Sequence, residues 1–469
     1  MLAHRDDPIM AIATPAGRGA VGVVRISAKQ LQPFAQVLCQ QALVPRHAHL
    51  LTLKDAHGEP LDQVLAIFFP GPHSYTGEDV LELQGHGGTI VMHMVMARCL
   101  SLAQTLKPDQ TPWLPRLRMA QAGEFTLRAY LNQKMDLAQA EAVADLIDAH
   151  TEAAVRSAGR SMQGAFSEQV HAIQQALVQV RVHIEACLDF PEEDLDFIQE
   201  MQIKQQLQAL QDRTAALLAQ AQQGLLLRDG LKLVIAGQPN AGKSSLLNAL
   251  AGAELAIVTP VAGTTRDVLS ESIQIEGVPI HVLDTAGLRD QDQADLVEQI
   301  GIERAWAHIK QADIVLLLND MSRQDPAYLG AQAQLQQSIQ DVLPKHTRLL
   351  LVDNKCDMLT SPPPASGLAI SAKQGTGLQA LRSQILQLAG WQAGAQEGVF
   401  TARARHLDAL HQGMQHLQQA QELLNASQPA LDLLAEECRL AQQQLSDLTG
   451  GFSADDLLGE IFSNFCIGK

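Results

Sequence analysis

Aromatic residues are scarce in this 469-residue chain. Phe, Trp and Tyr together make up 4% of it, so stacking of nucleic-acid bases on aromatic rings is not expected to be the main mode of recognition. Basic residues are outnumbered as well, with 34 Lys and Arg against 51 Asp and Glu and a net charge of -17. Proteins that coat nucleic acid usually present a basic face. Any nucleic acid bound by this chain must therefore meet a local basic patch or be held together with a partner.

Long apolar runs and closely paired cysteines are also missing. Because no uninterrupted run of about 18 apolar residues is present, no membrane-spanning helix is expected. The first ten residues, MLAHRDDPIM, lack the apolar core of a signal peptide. The six cysteines show no CxxC spacing, so the usual zinc signature is missing. The sequence therefore predicts reduced thiols in a cytoplasmic protein.

Three kinds of residue pattern follow one another along the chain. The first 120 or so residues contain short β-type runs such as Val21–Ile26 and Val64–Phe69, separated by turns, which is typical of an α+β domain. From about Leu137 to about Gly224, apolar residues recur every three to four positions, which predicts long helices. From Lys232 onward strands alternate with helices, which indicates a parallel sheet. The helical pattern of apolar residues returns near residue 391, and we expect the two helical stretches to pack together.

The segment Gly237–Ser244 reads Gly-Gln-Pro-Asn-Ala-Gly-Lys-Ser and matches the P-loop pattern between a strand and a helix. In such a loop the glycines let backbone amides turn toward an anion, and the helix N-terminus adds its positive end. Lys243 is positioned to contact the β- and γ-phosphates, and the Ser244 hydroxyl can hold Mg2+. This segment predicts a nucleoside triphosphate site.

Two further loops follow strands of the same region. Asp284–Gly287 (Asp-Thr-Ala-Gly) places an acid where it reaches Mg2+ through water and a Gly amide where it meets the γ-phosphate. Asn354–Asp357 (Asn-Lys-Cys-Asp) selects guanine, because Asp357 can accept hydrogen bonds from the N1 and N2 hydrogens of that base. Adenine lacks this donor pair and should be rejected. Ser371–Lys373 would complete the base pocket.

Together these motifs predict a multidomain fold with an α/β Ras-like P-loop GTPase domain inserted into an all-α helical domain. We assign residues 1–132 to the N-terminal α+β domain, 133–229 and 392–469 to the discontinuous helical domain, and 230–391 to the GTPase domain. Within the GTPase domain, Thr265 is expected to be the second Mg2+ ligand. The residue after the Asp-Thr-Ala-Gly motif is Leu288, which cannot position water, so hydrolysis needs a polar group and a cation from elsewhere.

The chain resembles the MnmE (TrmE) tRNA-modification GTPases over most of its length. Outside the GTPase motifs the resemblance rests on five segments that generic small GTPases lack. These are Tyr75–Gly88, Gly123–Phe125, Asp136–Ala142, Gly301–Trp306 and Cys466–Lys469.

The resemblance implies a K+ ion beside the nucleotide that takes the arginine-finger role and promotes pairing of the GTPase domains. The matching K+ positions are Asn240, Thr259, Val261 and Thr264. It also implies a catalytic glutamate that orients the attacking water. In the family this glutamate comes just before an Ile-Gly-Ile sequence, which points to Glu298. Because the preceding segment is longer than the common family form, Asp295 remains the alternative.

The resemblance further implies an N-terminal domain that dimerises and binds a tetrahydrofolate derivative in its 5-formyl or methylene form. The matching folate residues are Arg25, Glu82, Lys134 and Lys469, and Cys466 would be the family's C-terminal cysteine, a possible functional thiol. The expected partner is the FAD-carrying flavoprotein MnmG, in a heterotetramer. Together the two proteins would install an aminomethyl or carboxymethylaminomethyl group at carbon 5 of the wobble uridine of certain tRNAs.

Motifs and resemblance together give one set of GTP-binding residues. It comprises Asn240, Ala241, Gly242, Lys243, Ser244, Ser245, Thr259, Thr264, Thr265, Asp284, Thr285, Ala286, Gly287, Asn354, Lys355, Asp357, Ser371, Ala372 and Lys373. The main alternative is an Era-like or Der-like ribosome-assembly GTPase that binds RNA. That alternative predicts a KH-type segment or a second P-loop, and neither is seen in the sequence. A membrane-associated signalling GTPase would need an anchor, and none is evident.

Overall fold

The computed structural model describes most of the chain. The described residues are 4–189, 197–252, 271–283, 305–359, 367–392, 398–426, 429–451, 461–462, 465–466 and 468. The chain divides into two compact units, residues 1–144 with 445–469 and residues 145–444. None of the described helices has the length and hydropathy that a bilayer crossing requires.

The first unit is built on a six-stranded sheet in the order β3-β4-β5-β2-β1-β6. All neighbouring strands are antiparallel except β1 and β6. The strands are β1 (Ile9–Ile12), β2 (Val21–Ala28), β3 (His49–Lys54), β4 (Pro60–Phe69), β5 (Asp79–His86) and β6 (Arg118–Met119), and the helices are α1 (Gln32–Cys39), α2 (Thr89–Gln104), α3 (Glu124–Leu131) and the start of α4 (Leu137–Asp148).

Three buried apolar clusters of described residues stabilise this unit. Helices α1 and α2 contribute Phe34 and Val95 to a buried cluster with Ile26 and Leu81 of the sheet. Near the C-terminus, Phe462 is buried in a second cluster with residues of α3 and α4. Burying a large apolar side chain contributes about 1.5–3 kcal/mol, so the end of the chain is an integral part of this unit.

The second unit combines long helices with a second six-stranded sheet. The helices are α5 (Glu152–Met162), α6 (Ala165–Asp189), α7 (Phe197–Asp229), α12 (Ala404–Leu424) and α13 (Leu431–Thr449, which continues into the first unit). Helix α7 packs against both α6 and α12. The Gln211 side chain donates to the Leu417 carbonyl across 2.9 Å. The helices before and after the α/β region therefore contact each other, as the sequence predicted.

The sequence-based end of this helical stretch, about Gly224, is wrong. Helix α7 continues to Asp229 and stops at Gly230, which has a φ of 66°. Gly224 is not a helix stop; it lies inside α7 beside the backbone of Phe400. The absence of a side chain at Gly224 lets the backbone of Phe400 pack closely against α7. Sequence context alone does not distinguish a glycine with this role from one that ends a helix.

The second sheet has the order β12-β11-β10-β7-β9-β8, and all its neighbours are parallel except β8 and β9. Its strands are nearly continuous apolar runs because helices cover both faces. The strands are β7 (Leu231–Gly237), β8 (Glu271–Ile275), β9 (Val278–Leu283), β10 (Ile314–Asp320), β11 (Arg348–Asn354) and β12 (Leu368–Ala369), and the helices are α8 (Lys243–Ala251), the described part of α9 (305–311), α10 (Pro326–Val342) and α11 (Leu378–Leu388), with a 3-10 turn at Cys356–Met358.

Candidate functional site

The carboxyl ends of β7, β10 and β11 meet at one edge of the second sheet. The parallel register pairs Gly237 with Leu318 and Asp320 with Asn354. Ligands of open parallel sheets bind beyond this edge. The loops that follow β7 and β11, the P-loop and the Asn-Lys-Cys-Asp loop, therefore start side by side.

The P-loop lies between a strand and a helix, β7 and α8, as its sequence predicts. Asn240 and Gly242 have left-handed conformations, with φ of 63° and 98°, and α8 begins at Lys243 directly after Gly242. The Lys243 ammonium lies across the loop, 2.8 Å from the Gly237 carbonyl oxygen. Ser244 is exposed in the first turn of α8. The Lys243 and Ser244 side chains therefore both lie at the N-terminus of α8, the end of a helix that stabilises an anion.

Asn354 connects this loop to the loops at the ends of β11 and β12. Its buried side-chain amide donates from Nδ2 to the Ala241 carbonyl across 2.9 Å, and its Oδ1 accepts from the Ala372 backbone amide across 3.1 Å. A Cβ at Gly242 would overlap Asn354 Nδ2, so only glycine fits there. Three predicted segments of the nucleotide site are thus joined by one side chain.

The loops on either side of Asn354 are tightly turned. Asp357 lies in the 3-10 turn, half-buried, and the preceding Lys355 has a φ of 65°. The Cys356 amide donates to the Ile370 carbonyl across 3.1 Å, and the Ser371 hydroxyl accepts from the Gln374 amide across 3.1 Å. The structure therefore holds the turn that contains Asp357 beside the segment that leads into Ser371–Lys373.

Sequence reasoning missed two side chains that contact this site. Gln238 donates to the carbonyl of Tyr328 in α10 across 2.9 Å. The Asp320 carboxylate lies 2.6 Å from the Lys355 ammonium. Gln238 stands at a variable position of the P-loop and Asp320 lies outside the motifs, and no signal in the single sequence distinguishes either side chain.

Arg25 and Glu82 form a separate charged pair in the first unit. They face each other in the register of β2 and β5, and their side chains are 2.8 Å apart. The Arg25 guanidinium lies over the rings of Tyr75 and Phe125, with 5.6 and 5.7 Å to the centroids. It also donates to the carbonyl of Gly468 across 3.3 Å. The C-terminal tail therefore contacts Arg25, one of the two predicted folate residues that lie in this sheet.

The other two predicted features of this area are less closely connected. Lys134 follows α3, is exposed, and has its aliphatic stem near Gly77. Cys466 is exposed, and its carbonyl accepts from the Gly123 amide across 3.4 Å. We find no described contact that joins Lys134 or the Cys466 thiol to Arg25.

Comparison with known proteins decides the family. A model of the MnmE helical domain matches residues 137–466, and a model of the GTP-binding protein TrmE N-terminus matches residues 8–134. A tRNA modification GTPase MnmE from Polaromonas sp. (strain JS666) is 57% identical over 482 residues, covering 100% of both chains. A tRNA modification GTPase MnmE from Burkholderia ambifaria is 52% identical, also over 100% of both chains.

The chain belongs to the MnmE family. These matches confirm the family that the sequence predicted. They also confirm the predicted multidomain fold, with an N-terminal α+β domain, a helical domain and an α/β Ras-like domain inserted into the helical one. Among solved structures, Era from Aquifex aeolicus bound to GDP·AlF4- is 25% identical over 42% of this chain and 69% of its own, with a TM-score of 0.26.

Several predicted residues of the MnmE site lie outside the described regions. They are the K+ positions Thr259, Val261 and Thr264, the Mg2+ ligand Thr265, the motif Asp284, Thr285, Ala286 and Gly287, the catalytic candidates Asp295 and Glu298, and the folate candidate Lys469. Of the predicted K+ ligands, Asn240 alone is described, at the left-handed turn of the P-loop. The roles of all these residues stay predictions.

Proposed function

We propose that this chain binds GTP in the P-loop pocket and hydrolyses it to GDP and phosphate, and that this cycle serves tRNA modification. The observation that carries the proposal is the Asn354 amide, which hydrogen-bonds to both the P-loop and the Ser371–Lys373 loop. That arrangement holds a phosphate-binding loop and a base-binding loop at a fixed separation. The full-length relatives, which are named tRNA modification GTPases, support the same function.

The residues around the P-loop suit a magnesium-bound triphosphate. Mg2+ takes few protein ligands and keeps water and phosphate oxygens, and the exposed Ser244 hydroxyl offers one such oxygen. When bound, the metal neutralises charge on the phosphates. Lys243 and the amides of the α8 N-terminus stabilise the rest.

The catalytic roles extend the proposal. K+ bound by Asn240, Thr259, Val261 and Thr264 would supply the positive charge that an arginine finger supplies in other GTPases. Glu298 would orient the attacking water, because Leu288 cannot. These roles rest on the resemblance of the sequence to the MnmE family.

The tRNA chemistry completes the proposal. A homodimer of this chain would act with MnmG, which carries FAD, to install a carboxymethylaminomethyl or aminomethyl group at carbon 5 of a wobble uridine. A tetrahydrofolate derivative would bind at Arg25, Glu82, Lys134 and Lys469. The contact of the tail with Arg25 supports a shared site, because a cation beside a carboxylate suits a ligand with both acidic and donor groups.

Nucleotide specificity gives the decisive test of the pocket. Purified protein should hydrolyse GTP and leave ATP untouched. Asp357→Asn should reverse the preference from GTP to XTP, because the amide donates to the O2 carbonyl of xanthine where the carboxylate accepts from the guanine amino group. The loss for GTP should reach several orders of magnitude. Equal use of ATP and GTP by the wild type, or unchanged GTP preference in the variant, would remove the pocket assignment.

Wobble nucleosides test the biological role. Mass spectrometry of tRNA from cells that lack this protein should show loss of the modified uridine. Wild type should restore it, and a variant without Lys243 should not. If the modified wobble uridine is still present in the deletion strain, the proposed role in tRNA modification is wrong, whereas the assignment of the GTP pocket is unaffected. The alternative of an Era-like or Der-like ribosome-assembly factor is not favoured, since the MnmE and TrmE models together match residues 8–134 and 137–466.

A further inference from the structure

Asp320 ends β10 with a buried carboxylate that belongs to no recognised motif. Its side chain is 4% exposed, and its Oδ2 lies 2.6 Å from the Lys355 ammonium, which is 29% exposed. The Met321 backbone amide donates to the Asn354 carbonyl across 3.0 Å. Asp320 therefore sits beside the loop that carries Asp357, with its charge directed at the residue between Asn354 and Cys356.

The carboxylate is held on its other side as well. Its Oδ1 accepts from the Ser322 amide across 3.0 Å and from the Ser322 hydroxyl across 2.5 Å. The backbone amide of Asp320 donates to the hydroxyl of buried Tyr328 across 2.8 Å. Burial opposes ionisation, but the hydrogen bonds from Lys355 and Ser322 outweigh it and keep the pKa of Asp320 below its ordinary value. Asp320 is thus a fixed, charged acceptor near neutral pH.

Lys355 is the residue whose conformation needs such a partner. Its φ of 65° lies in the left-handed region, which is unfavourable for a residue with a Cβ. Its carbonyl accepts from the Met358 amide across 3.0 Å and closes the turn that contains Asp357. The ion pair therefore fixes the side chain of the residue whose backbone starts this turn.

We propose that Asp320 is a positioning residue for guanine recognition: by holding Lys355, it orients the turn that presents Asp357 to the base. The inference rests on the proposed binding of GTP in this pocket. Tyr328 extends the same linkage, because its carbonyl accepts from Gln238 of the P-loop. The segment from Asp320 to Tyr328 thus contacts both the base side and the phosphate side of the pocket.

Asp320→Asn tests this role with little change of shape. The amide can still bond Ser322, but it no longer carries the charge that holds Lys355. Dissociation of fluorescently labelled GDP should accelerate about tenfold, the scale of one lost hydrogen bond to a charged group. The preference for GDP over IDP should shrink, because IDP lacks the 2-amino group and already makes one contact fewer with Asp357.

Asp353→Asn is the matched control. Asp353 is another strand-end carboxylate, in β11, and it accepts a hydrogen bond from the Asn319 side-chain amide across 2.8 Å. It should keep wild-type GDP dissociation and the wild-type ratio of GDP to IDP affinity. Lys355→Gln removes the same ion pair together with the nucleotide contact predicted for Lys355, so it should accelerate GDP dissociation at least as much as Asp320→Asn does. It serves if Asp320→Asn fails to fold. In Asp320→Asn combined with Lys355→Gln the two effects should not add.

The outcomes distinguish a positioning role from a structural one. A lower melting temperature with an unchanged GDP-to-IDP ratio in both ion-pair variants would make Asp320 purely structural and overturn the inference. Unchanged GDP dissociation in both would overturn it too. Failure of the wild type to bind GDP would instead remove the proposed function itself.

Discussion

The side-chain amide of Asn354 donates a hydrogen bond to the carbonyl oxygen of Ala241, with 2.9 Å between the two heavy atoms. The contact spans the sheet edge from the end of β11 to the middle of the P-loop. Since Asn354 Oδ1 also accepts from the Ala372 amide, this one side chain fixes the spacing between the phosphate and base sides of the pocket.

Asn354→Ala should weaken both folding and nucleotide binding. It leaves the buried Ala241 carbonyl and the Ala372 amide without these partners, at a cost of about 2 kcal/mol of unfolding free energy. GDP affinity measured by calorimetry should fall roughly thirtyfold, the equivalent of that energy. Asn319→Ala removes a neighbouring strand-end amide that contacts Asp353 instead, and it should leave GDP affinity near wild type. Equal losses in both variants would contradict a specific role for Asn354.

The sequence predicted the sheet of the second unit well because its strands are apolar on both faces. The runs Ile314–Leu318 and Leu349–Val352 lie inside β10 and β11, which extend to Asp320 and Asn354. The same property hides the register. Strands that are apolar on both faces do not reveal which residues face each other, so the pairing of Asp320 with Asn354 could not be derived.

The nucleotide motifs were predictable for a different reason. A P-loop is a local backbone structure, so a short segment contains the information for its left-handed turns and the start of α8. The contacts of Gln238 with Tyr328 and of Arg25 with Gly468 join residues distant in sequence. Such contacts depend on packing of the whole unit, which local patterns do not encode.

Replacing K+ by Na+ should slow GTP hydrolysis by an order of magnitude or more. The proposed ligands of the ion are oxygens spaced for K+, and the smaller Na+ cannot contact all of them at once, so it stabilises transition-state charge less well. Phosphate release measured at equal ionic strength checks this. GDP affinity serves as the control and should change little. Equal hydrolysis rates in both salts would remove the cation from the mechanism.

Glu298→Ala should retain GTP binding but slow hydrolysis by roughly a hundredfold or more, the usual contribution of a group that orients or activates water. Single-turnover hydrolysis and GTP affinity, measured on the same preparation, separate the two effects. Asp295→Ala is the matched variant and should hydrolyse GTP normally. Normal turnover in Glu298→Ala with loss in Asp295→Ala would transfer the role to Asp295.

Two helix glycines should respond in opposite directions to alanine. A Cβ at Gly224 in α7 would overlap the carbonyl oxygen of Phe400, a backbone atom that cannot move aside easily. Gly224→Ala should therefore destabilise the protein by about 2 kcal/mol or more, as overpacking does. A Cβ at Gly159 in α5 would meet no atom within 4 Å. Gly159→Ala should stabilise the helix by up to about 1 kcal/mol. Thermal unfolding followed by circular dichroism measures both, and similar melting temperatures would contradict the packing of α7.

His281 in β9 should make the second unit less stable in mild acid. Its ring lies 3.1 Å from the Ser272 hydroxyl, and burial lowers its pKa from 6.5. Lys232 and His150 lower it further, while contacts with Asp229 act in the opposite direction. The unfolded chain therefore binds a proton at His281 more readily than the folded chain does.

The sign of the effect follows from that difference. Stability from a neutral His281 is present above pH 6.5 and is lost as the pH falls toward the lowered pKa of the folded state. His281→Gln cannot be protonated, so its unfolding free energy should decline less steeply with falling pH. Urea unfolding at several values from about pH 7.5 to about 5.5 measures the slope, with exposed His346→Gln as the control that should follow the wild type. An identical slope for His281→Gln and wild type would show that another group causes the acid sensitivity.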